Sequence, residues 1–189
     1  DITYSFYDVW ANVFEIPYET KALDEDFCIR TEDYFCDNGG IVIPNPNAPT
    51  GVLHPLSEIE RIVKENQDSV VIIDEAYGDF TGTPATSALS LVDKYENLLV
   101  VMTFSKSRSL AGSRIGFAFG GKKLISYLND VKYSFNSYTM DRLTIQIGKA
   151  SLEDDAYFMK CVSDIIETRE WTKKELTRLG FTYPDSKTN

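Results

Sequence analysis

The segment VVIIDEAY, residues 70–77, decides the fold class of this chain. Its first four residues are apolar and β-branched, and its last four place a carboxylate and a phenol directly behind them. Similar apolar runs occupy residues 41–43, 98–104 and 114–119. Short continuous apolar runs of this kind are typical of strands buried on both faces, as in a parallel sheet covered by helices.

Helical patterns alternate with these strands. Residues 57–60, Ser-Glu-Ile-Glu, have the pattern of a capping box, in which the Ser57 hydroxyl bonds a backbone N–H while Glu60 reaches back. A longer helical pattern runs from about residue 154 to residue 179 and stops at Gly180. We therefore expect an α/β fold, with a mostly parallel sheet sandwiched by helices.

The composition limits which binding partners and which cellular compartment we expect for this protein. The chain has 189 residues, with 29 acidic and 19 basic side chains and a net charge of −10. No broad basic face is available to neutralise phosphates, so we expect neither nucleic acid nor a membrane as a partner. The apolar runs are far shorter than the roughly 20 residues that span a bilayer. Three cysteines without a CxxC pair predict reduced thiols in a cytoplasmic protein.

Chemically active side chains follow the strands. Asp74 and Tyr77 come after the second strand, residues 103–106 (Thr-Phe-Ser-Lys) end the third, and Arg114 lies eight residues later. Each of these alone is typical of an ordinary loop, cap or surface residue. Ligands of open α/β sheets bind beyond the carboxyl ends of the strands, so the combination predicts a ligand crevice there. The Asn- and Pro-rich loop at residues 45–51 follows another strand and is expected to line the same crevice.

This constellation resembles the fold-type I pyridoxal-phosphate enzymes of the aspartate aminotransferase-like class I/II group. Asp-Glu-Ala-Tyr at 74–77, Ser-Lys at 105–106 and SLAGSRIG at 109–116 are similar to that group's signatures in order and spacing. Within the group, residues 103–116 are most similar to histidinol-phosphate aminotransferases. The resemblance implies pyridoxal 5'-phosphate as cofactor. It also implies amino transfer between a small-molecule donor, histidinol phosphate, and a 2-oxo acid, 2-oxoglutarate, in histidine biosynthesis.

The resemblance also implies roles for individual residues. Lys106 would form a Schiff base with the cofactor aldehyde and then move the proton at the substrate's α-carbon. Asp74 would pair with the pyridinium nitrogen, and Tyr77 would donate to the ring phenolate. Tyr4 resembles the aromatic residue that stacks on the ring. No metal site is expected.

Other residues would hold the phosphate and the ring oxygen. The resemblance assigns the phosphate to Thr103, Ser105 and Arg114, because hydroxyls and a planar guanidinium suit a dianion. The family usually has Asn immediately before Pro-Thr-Gly, where its side chain bonds the ring oxygen; here that residue is Ala48. Either Asn47 or Tyr77 then makes this contact, or the ring oxygen is held less well.

The resemblance further implies a division of the chain. Residues 1–153 would be the cofactor-binding large domain, incomplete at its N-terminus; residues 154–180 a helix linking to a small domain; and residues 181–189 the start of that domain. A homodimer is implied as well. We expect the isolated 189 residues to turn over poorly or not at all.

Two alternatives remain open, and two further residues need assignment. The same signatures resemble a lyase such as threonine-phosphate decarboxylase, and the fold also occurs as a sensor domain of transcription regulators. His54 is interpreted as a loop residue rather than a general base, because nothing places it at a strand end. Arg108 either reaches substrate or is solvated.

Overall fold

A computed structural model describes residues 1–189. Its centre is a sheet of four strands, β1 (Gly40–Pro44), β2 (Val70–Asp74), β3 (Leu98–Thr103) and β4 (Gly116–Gly120), in the order β1-β2-β3-β4. The first three strands are parallel, and β4 runs antiparallel to β3. Helices flank this sheet, so the predicted α/β class with a mostly parallel sheet is confirmed.

One face of the sheet packs against helix α2 (Leu56–Glu65). The residues Ile59, Ile62 and Val63 recur at helical spacing, are fully buried, and meet the buried side chains of β1, β2 and β3. Burial of each such side chain contributes about 1.5–3 kcal/mol. This packing forms the main core and fixes the strand ends that carry the polar residues.

The opposite face of the sheet is less covered than the sequence predicts. In β1 and β2 buried and more accessible residues alternate, and Val42 keeps 45% of its surface exposed. Helix α1 (Phe6–Val13) borders a cleft of about 940 Å³ on this side and has no buried residue. The expectation of strands buried on both faces is therefore wrong for β1 and β2, because α1 covers that face incompletely.

The predicted capping box does not form. Helix α2 begins at Leu56, directly after Pro55, and no side chain caps its first turn. Ser57 therefore lies inside the helix instead of preceding it. Glu60 accepts hydrogen bonds from Lys94 and Tyr95 instead of reaching back. The pattern places the N-cap at Ser57, two residues after the observed N-cap, Pro55.

Three helices complete the chain: α3 (Lys122–Phe135), α4 (Arg142–Glu153) and α5 (Asp155–Arg178). Helix α5 confirms the long helix predicted from about residue 154 to residue 179. No helix combines the length and the apolar character needed to cross a membrane. The fourth predicted strand begins later than expected, at Gly116, because the chain first makes a short 3-10 turn.

Candidate active site

Asp74 is the last residue of β2, and its carboxylate is held from two sides. The Tyr7 hydroxyl donates to Oδ2 at 2.8 Å, and the Ala76 backbone N–H donates to Oδ1 at 3.0 Å. Burial, followed by the negative charge of Asp74, raises the pKa of the Tyr7 hydroxyl, so the phenol stays a proton donor. The Tyr4 ring lies edge-on to the Tyr7 ring, with 5.5 Å between centroids. Tyr4 therefore contacts Tyr7, which in turn contacts Asp74.

Lys106 follows the neighbouring strand, β3, and its side chain is exposed. Its Nζ lies 5.1 Å from the centroid of the Tyr77 ring and forms no ion pair with a carboxylate. The Tyr77 hydroxyl makes no hydrogen bond within the protein. A primary amine and a phenol without protein partners therefore lie side by side at the ends of two adjacent parallel strands.

Thr103 and Ser105 form one hydroxyl pair beside Lys106. The Ser105 N–H donates to Thr103 Oγ1 at 3.0 Å, and the two hydroxyl oxygens lie 2.9 Å apart. Thr103 also donates to the Ile115 carbonyl at 3.1 Å, which ties β3 to the segment before β4. The turn thus presents two hydroxyls at one place.

Arg114, the third predicted phosphate ligand, does not hydrogen-bond with that hydroxyl pair. It ends the 3-10 turn Ala111–Ser113 in a left-handed conformation, with φ of 53°, and is not part of a strand. Its guanidinium donates to the Ala111 carbonyl at 2.8 Å and is exposed to solvent. The predicted strand residue is therefore a turn residue, because the chain reverses before it enters β4.

The side chain of Asn47 is committed to protein partners. Its amide nitrogen donates to the Ile2 carbonyl at 2.9 Å and to the Thr50 hydroxyl at 3.0 Å, and its oxygen accepts from the Thr3 hydroxyl at 3.2 Å. Both of its N–H donors are thereby used. Tyr77, in contrast to Asn47, keeps its side-chain donor free of protein partners.

Arg108 makes protein contacts rather than lying free in solvent. Its guanidinium donates to the Ser151 carbonyl of α4 at 2.6 Å and lies 3.9 Å from the centroid of the Phe158 ring of α5. A planar guanidinium suits this combination of stacking and hydrogen bonding. Arg108 therefore anchors the Lys106 loop to the helices.

His54 lies outside this cluster. Its Nε2 is 3.1 Å from the Thr31 hydroxyl, and its backbone pairs with the Asn45 side chain on both sides. Burial lowers the pKa of the His54 imidazole, against the opposing effect of Glu58. These contacts agree with the interpretation of His54 as a loop residue. No group of three or more His, Cys, Asp or Glu side chains could hold a metal ion.

The comparison with known families agrees with this geometry. The family described as aminotransferase class I and II matches residues 1–189. The chain belongs to this family.

Among class I and II aminotransferases, the chain is similar to named relatives. It is 56% identical over 189 residues to the histidinol-phosphate aminotransferase of Lactococcus lactis subsp. cremoris (strain MG1363), covering 100% of this chain and 52% of that protein. It is also 56% identical over 183 residues to histidinol-phosphate aminotransferase 2 of Dechloromonas aromatica (strain RCB), covering 96% of this chain and 50% of that protein. The chain thus spans about half the length of the curated relatives it matches.

Solved structures support the aminotransferase fold. The histidinol-phosphate aminotransferase from Clostridium acetobutylicum superposes with a TM-score of 0.91 at 25% identity, over 99% of this chain and 57% of that one. The Sinorhizobium meliloti histidinol-phosphate aminotransferase in complex with pyridoxal-5'-phosphate gives 0.71 at 22% identity, over 80% and 40%. The second likeness shows the fold alone. The resemblance stated from residues 74–77 and 103–116 is confirmed for the family.

Sequence reasoning does not single out three side chains that support this aminotransferase site. These are Tyr7, which donates to Asp74; Asp79, which lies beside the loop that carries Lys106; and Glu75. Glu75 is 3% exposed and accepts from the Ser87 hydroxyl and the Ala88 N–H, each at 2.6 Å. A tyrosine three residues after Tyr4 is a weak signal for the first, and a second carboxylate directly after Asp74 is one for the last.

Proposed function

We propose that this chain is the cofactor-binding part of a histidinol-phosphate aminotransferase, which transfers an amino group between histidinol phosphate and 2-oxoglutarate. The observation that carries the proposal is the unpaired amine of Lys106 at the end of β3, beside β2, which ends at Asp74. Relatives that are 50–56% identical and bear this name support the choice of reaction.

The residues present fit pyridoxal 5'-phosphate. The cofactor needs a primary amine, an acid for its ring nitrogen and donors for its phosphate, and Lys106, Asp74 and the Thr103–Ser105 hydroxyl pair offer these groups. Tyr7 and Ala76 each use one oxygen of the Asp74 carboxylate, and each oxygen keeps a further acceptor site. Arg114 is exposed and can exchange its Ala111 carbonyl contact for a phosphate oxygen.

The protein side chains then divide the work. Bound pyridoxal phosphate supplies an aldehyde that bonds amines reversibly and a ring that withdraws electrons from the substrate's α-carbon. Lys106 Nζ would bond the cofactor aldehyde, be released when the substrate amine takes its place, and then move the proton at that carbon. Asp74, oriented by Tyr7, would hold the proton on the ring nitrogen. Tyr77 would donate to the ring oxygen, and Tyr4 would lie against the ring.

The wider organisation is proposed on the same basis. Residues 1–153 form the large domain, residues 154–180 link it to a small domain, and residues 181–189 begin that domain. The full-length protein is a cytoplasmic homodimer that takes a small-molecule amino donor and a 2-oxo acid.

A decarboxylase is the second candidate, since L-threonine-O-3-phosphate decarboxylase from Porphyromonas gingivalis shares the fold with a TM-score of 0.79 at 22% identity.

Covalent trapping tests the proposal. The full-length protein is incubated with pyridoxal phosphate, reduced with borohydride and mapped by peptide mass spectrometry. We expect one adduct, on Lys106, which is lost in Lys106→Arg and kept in the control Lys123→Arg, a substitution at the start of α3. Adducts scattered over several lysines, or none, contradict the cofactor site. Assays with histidinol phosphate and 2-oxoglutarate should then yield glutamate without carbon dioxide, which separates the transferase from the decarboxylase.

A further inference from the structure

The two loops that form the candidate site are joined by one side-chain hydrogen bond. The Ser107 hydroxyl, next in sequence to Lys106, donates to the carboxylate of Asp79, two residues beyond Tyr77. Ser107 is only 4% exposed, although Lys106 beside it is exposed. The carboxylate of Asp79 has no other hydrogen-bond or ion-pair partner. Its single polar contact therefore connects the loop that carries Tyr77 to the loop that carries Lys106.

Asp79 sits on a firmly held element. It belongs to the 3-10 helix Gly78–Thr81, which is closed by backbone bonds from Gly78 to Glu75 at 2.9 Å and from Phe80 to Tyr77 at 3.1 Å. The Phe80 side chain is buried, and its carbonyl accepts from Arg169 of α5 at 2.8 Å. Asp79 does not cap this helix through its side chain. Its carboxylate is therefore available to accept the hydrogen bond from Ser107.

Lys106, by contrast, has few restraints of its own. Its Nζ forms no ion pair, and its side chain touches the Tyr77 ring at 5.1 Å. The backbone turn around it is held by Ser109 N–H to the Lys106 carbonyl and by Leu110 N–H to the Phe104 carbonyl, each at 3.0 Å. The residues on either side of Lys106 both make side-chain hydrogen bonds, Ser105 with Thr103 and Ser107 with Asp79, and the second is the one that reaches the segment after Tyr77. The position of the Lys106 backbone relative to Tyr77 thus depends on it.

We propose that Asp79 is a positioning residue for Lys106, acting through the Ser107 hydroxyl to hold the amine beside Tyr77. The proposal rests on the proposed function, because it concerns how Lys106 meets the cofactor aldehyde. Displacement of a reacting group by about 1 Å can slow its reaction by about 100-fold. Loss of this single bond loosens the turn without removing the amine, so we expect Lys106 to react about 10-fold more slowly.

The test measures the amine directly. Pyridoxal phosphate is added to the full-length apoprotein, samples are reduced with borohydride at intervals, and the adduct on Lys106 is quantified by peptide mass spectrometry. Ser107→Ala and Asp79→Ala should each slow adduct formation about 10-fold, and the double variant should be no slower than either. Asp79→Asn keeps an acceptor oxygen and should fall between. Ser90→Ala, which removes an exposed hydroxyl on a nearby 3-10 helix, should match the parent.

The outcomes separate this proposal from the one on which it rests. No adduct on Lys106 in the parent protein overturns the proposed function itself. An adduct in the parent that forms at the same rate in Ser107→Ala overturns the positioning role alone, as does additive slowing in the double variant. If circular dichroism shows that Asp79→Ala is poorly folded, Ser107→Ala decides, because it removes only one buried oxygen. A lower kcat with unchanged KM for the amino donor supports positioning.

Discussion

Glu75 offers a sharp test of how the site is supported, because it is a buried carboxylate directly beside Asp74. Its two oxygens accept from the Ser87 hydroxyl and from the Ala88 N–H. Both Glu75 and Ala88 are almost completely buried. Glu75→Ala leaves a buried N–H without an acceptor, which costs about 1–3 kcal/mol. The lost packing adds to this cost, while relief of carboxylate desolvation offsets part of it, so we expect a net loss of about 2–4 kcal/mol.

Glu75→Gln should behave differently because it keeps the shape. The amide oxygen can still accept from the Ala88 N–H. The Ser87 hydroxyl can rotate and accept from the new amide nitrogen, since a hydroxyl is both donor and acceptor. We therefore expect the free energy of unfolding of Glu75→Gln to lie within about 1 kcal/mol of the parent at neutral pH.

The shifted pKa of Glu75 determines whether the protein becomes more or less stable as pH rises. Burial raises the pKa of Glu75 above its ordinary value of 4.5, despite the opposing effect of its two hydrogen bonds. The contribution of the neutral carboxyl to stability is therefore fully present below about pH 4.5 and is lost as pH rises through the raised pKa. Relative to Glu75→Gln, the parent should become less stable as pH increases over this window.

Urea unfolding of the full-length protein at a series of pH values measures these differences. A Glu75→Gln variant as unstable as Glu75→Ala would refute the acceptor-switch reasoning. A difference between parent and Glu75→Gln that does not change with pH would refute the role assigned to burial. Ser90→Ala serves as the control, because its hydroxyl is exposed and lies on the 3-10 helix that Ser87 precedes.

Three further predictions follow from individual contacts. Tyr7→Phe removes the donor to Asp74 and should weaken pyridoxal-phosphate affinity about tenfold in an absorbance titration, whereas Tyr4→Phe, which loses no hydrogen bond within the protein, should lose far less. Arg108→Lys loses ring stacking and a helix carbonyl contact and should lower the free energy of unfolding by about 1–3 kcal/mol, with little change in KM. His54 has a lowered pKa, so stability should fall as pH drops below about 6.5 through the folded pKa, and His54→Gln should abolish that component in urea titrations.

The sequence was most informative where structure depends on local patterns. Each of β1, β2 and β3 is a short apolar run, and helix α5 follows the apolar spacing that predicts it. Because parallel strands share one carboxyl edge, the placement of Asp74 and Lys106 at neighbouring strand ends followed from their positions in the chain. The family resemblance then supplied roles that no spacing could supply.

The rest depended on contacts between distant segments. Tyr7 and Asp74 are 67 residues apart, and no local pattern of residue types pairs them. The amide nitrogen of Asn47 donates to the Ile2 carbonyl, 45 residues earlier in the chain, a contact that no local pattern indicates. Arg114 looked like part of an apolar strand, yet the turn before it forces a left-handed backbone. Side-chain partners and turn geometry are tertiary properties, which composition and periodicity do not encode.

The acid and the amine of the site are held to very different degrees, and this difference suits the proposed chemistry. Asp74 is held through its backbone by Asn45, the residue after β1, whose N–H donates to its carbonyl at 2.8 Å, and through its side chain by Tyr7. Lys106 is exposed and unpaired. A group that only holds a proton on a ring nitrogen benefits from a fixed position, because its partner does not move. In the proposed function the amine would bond an aldehyde, leave it and then carry a proton, which needs freedom at its tip and a fixed backbone below. The Ser107 contact with Asp79 contributes to holding that backbone, together with the backbone hydrogen bonds of the turn.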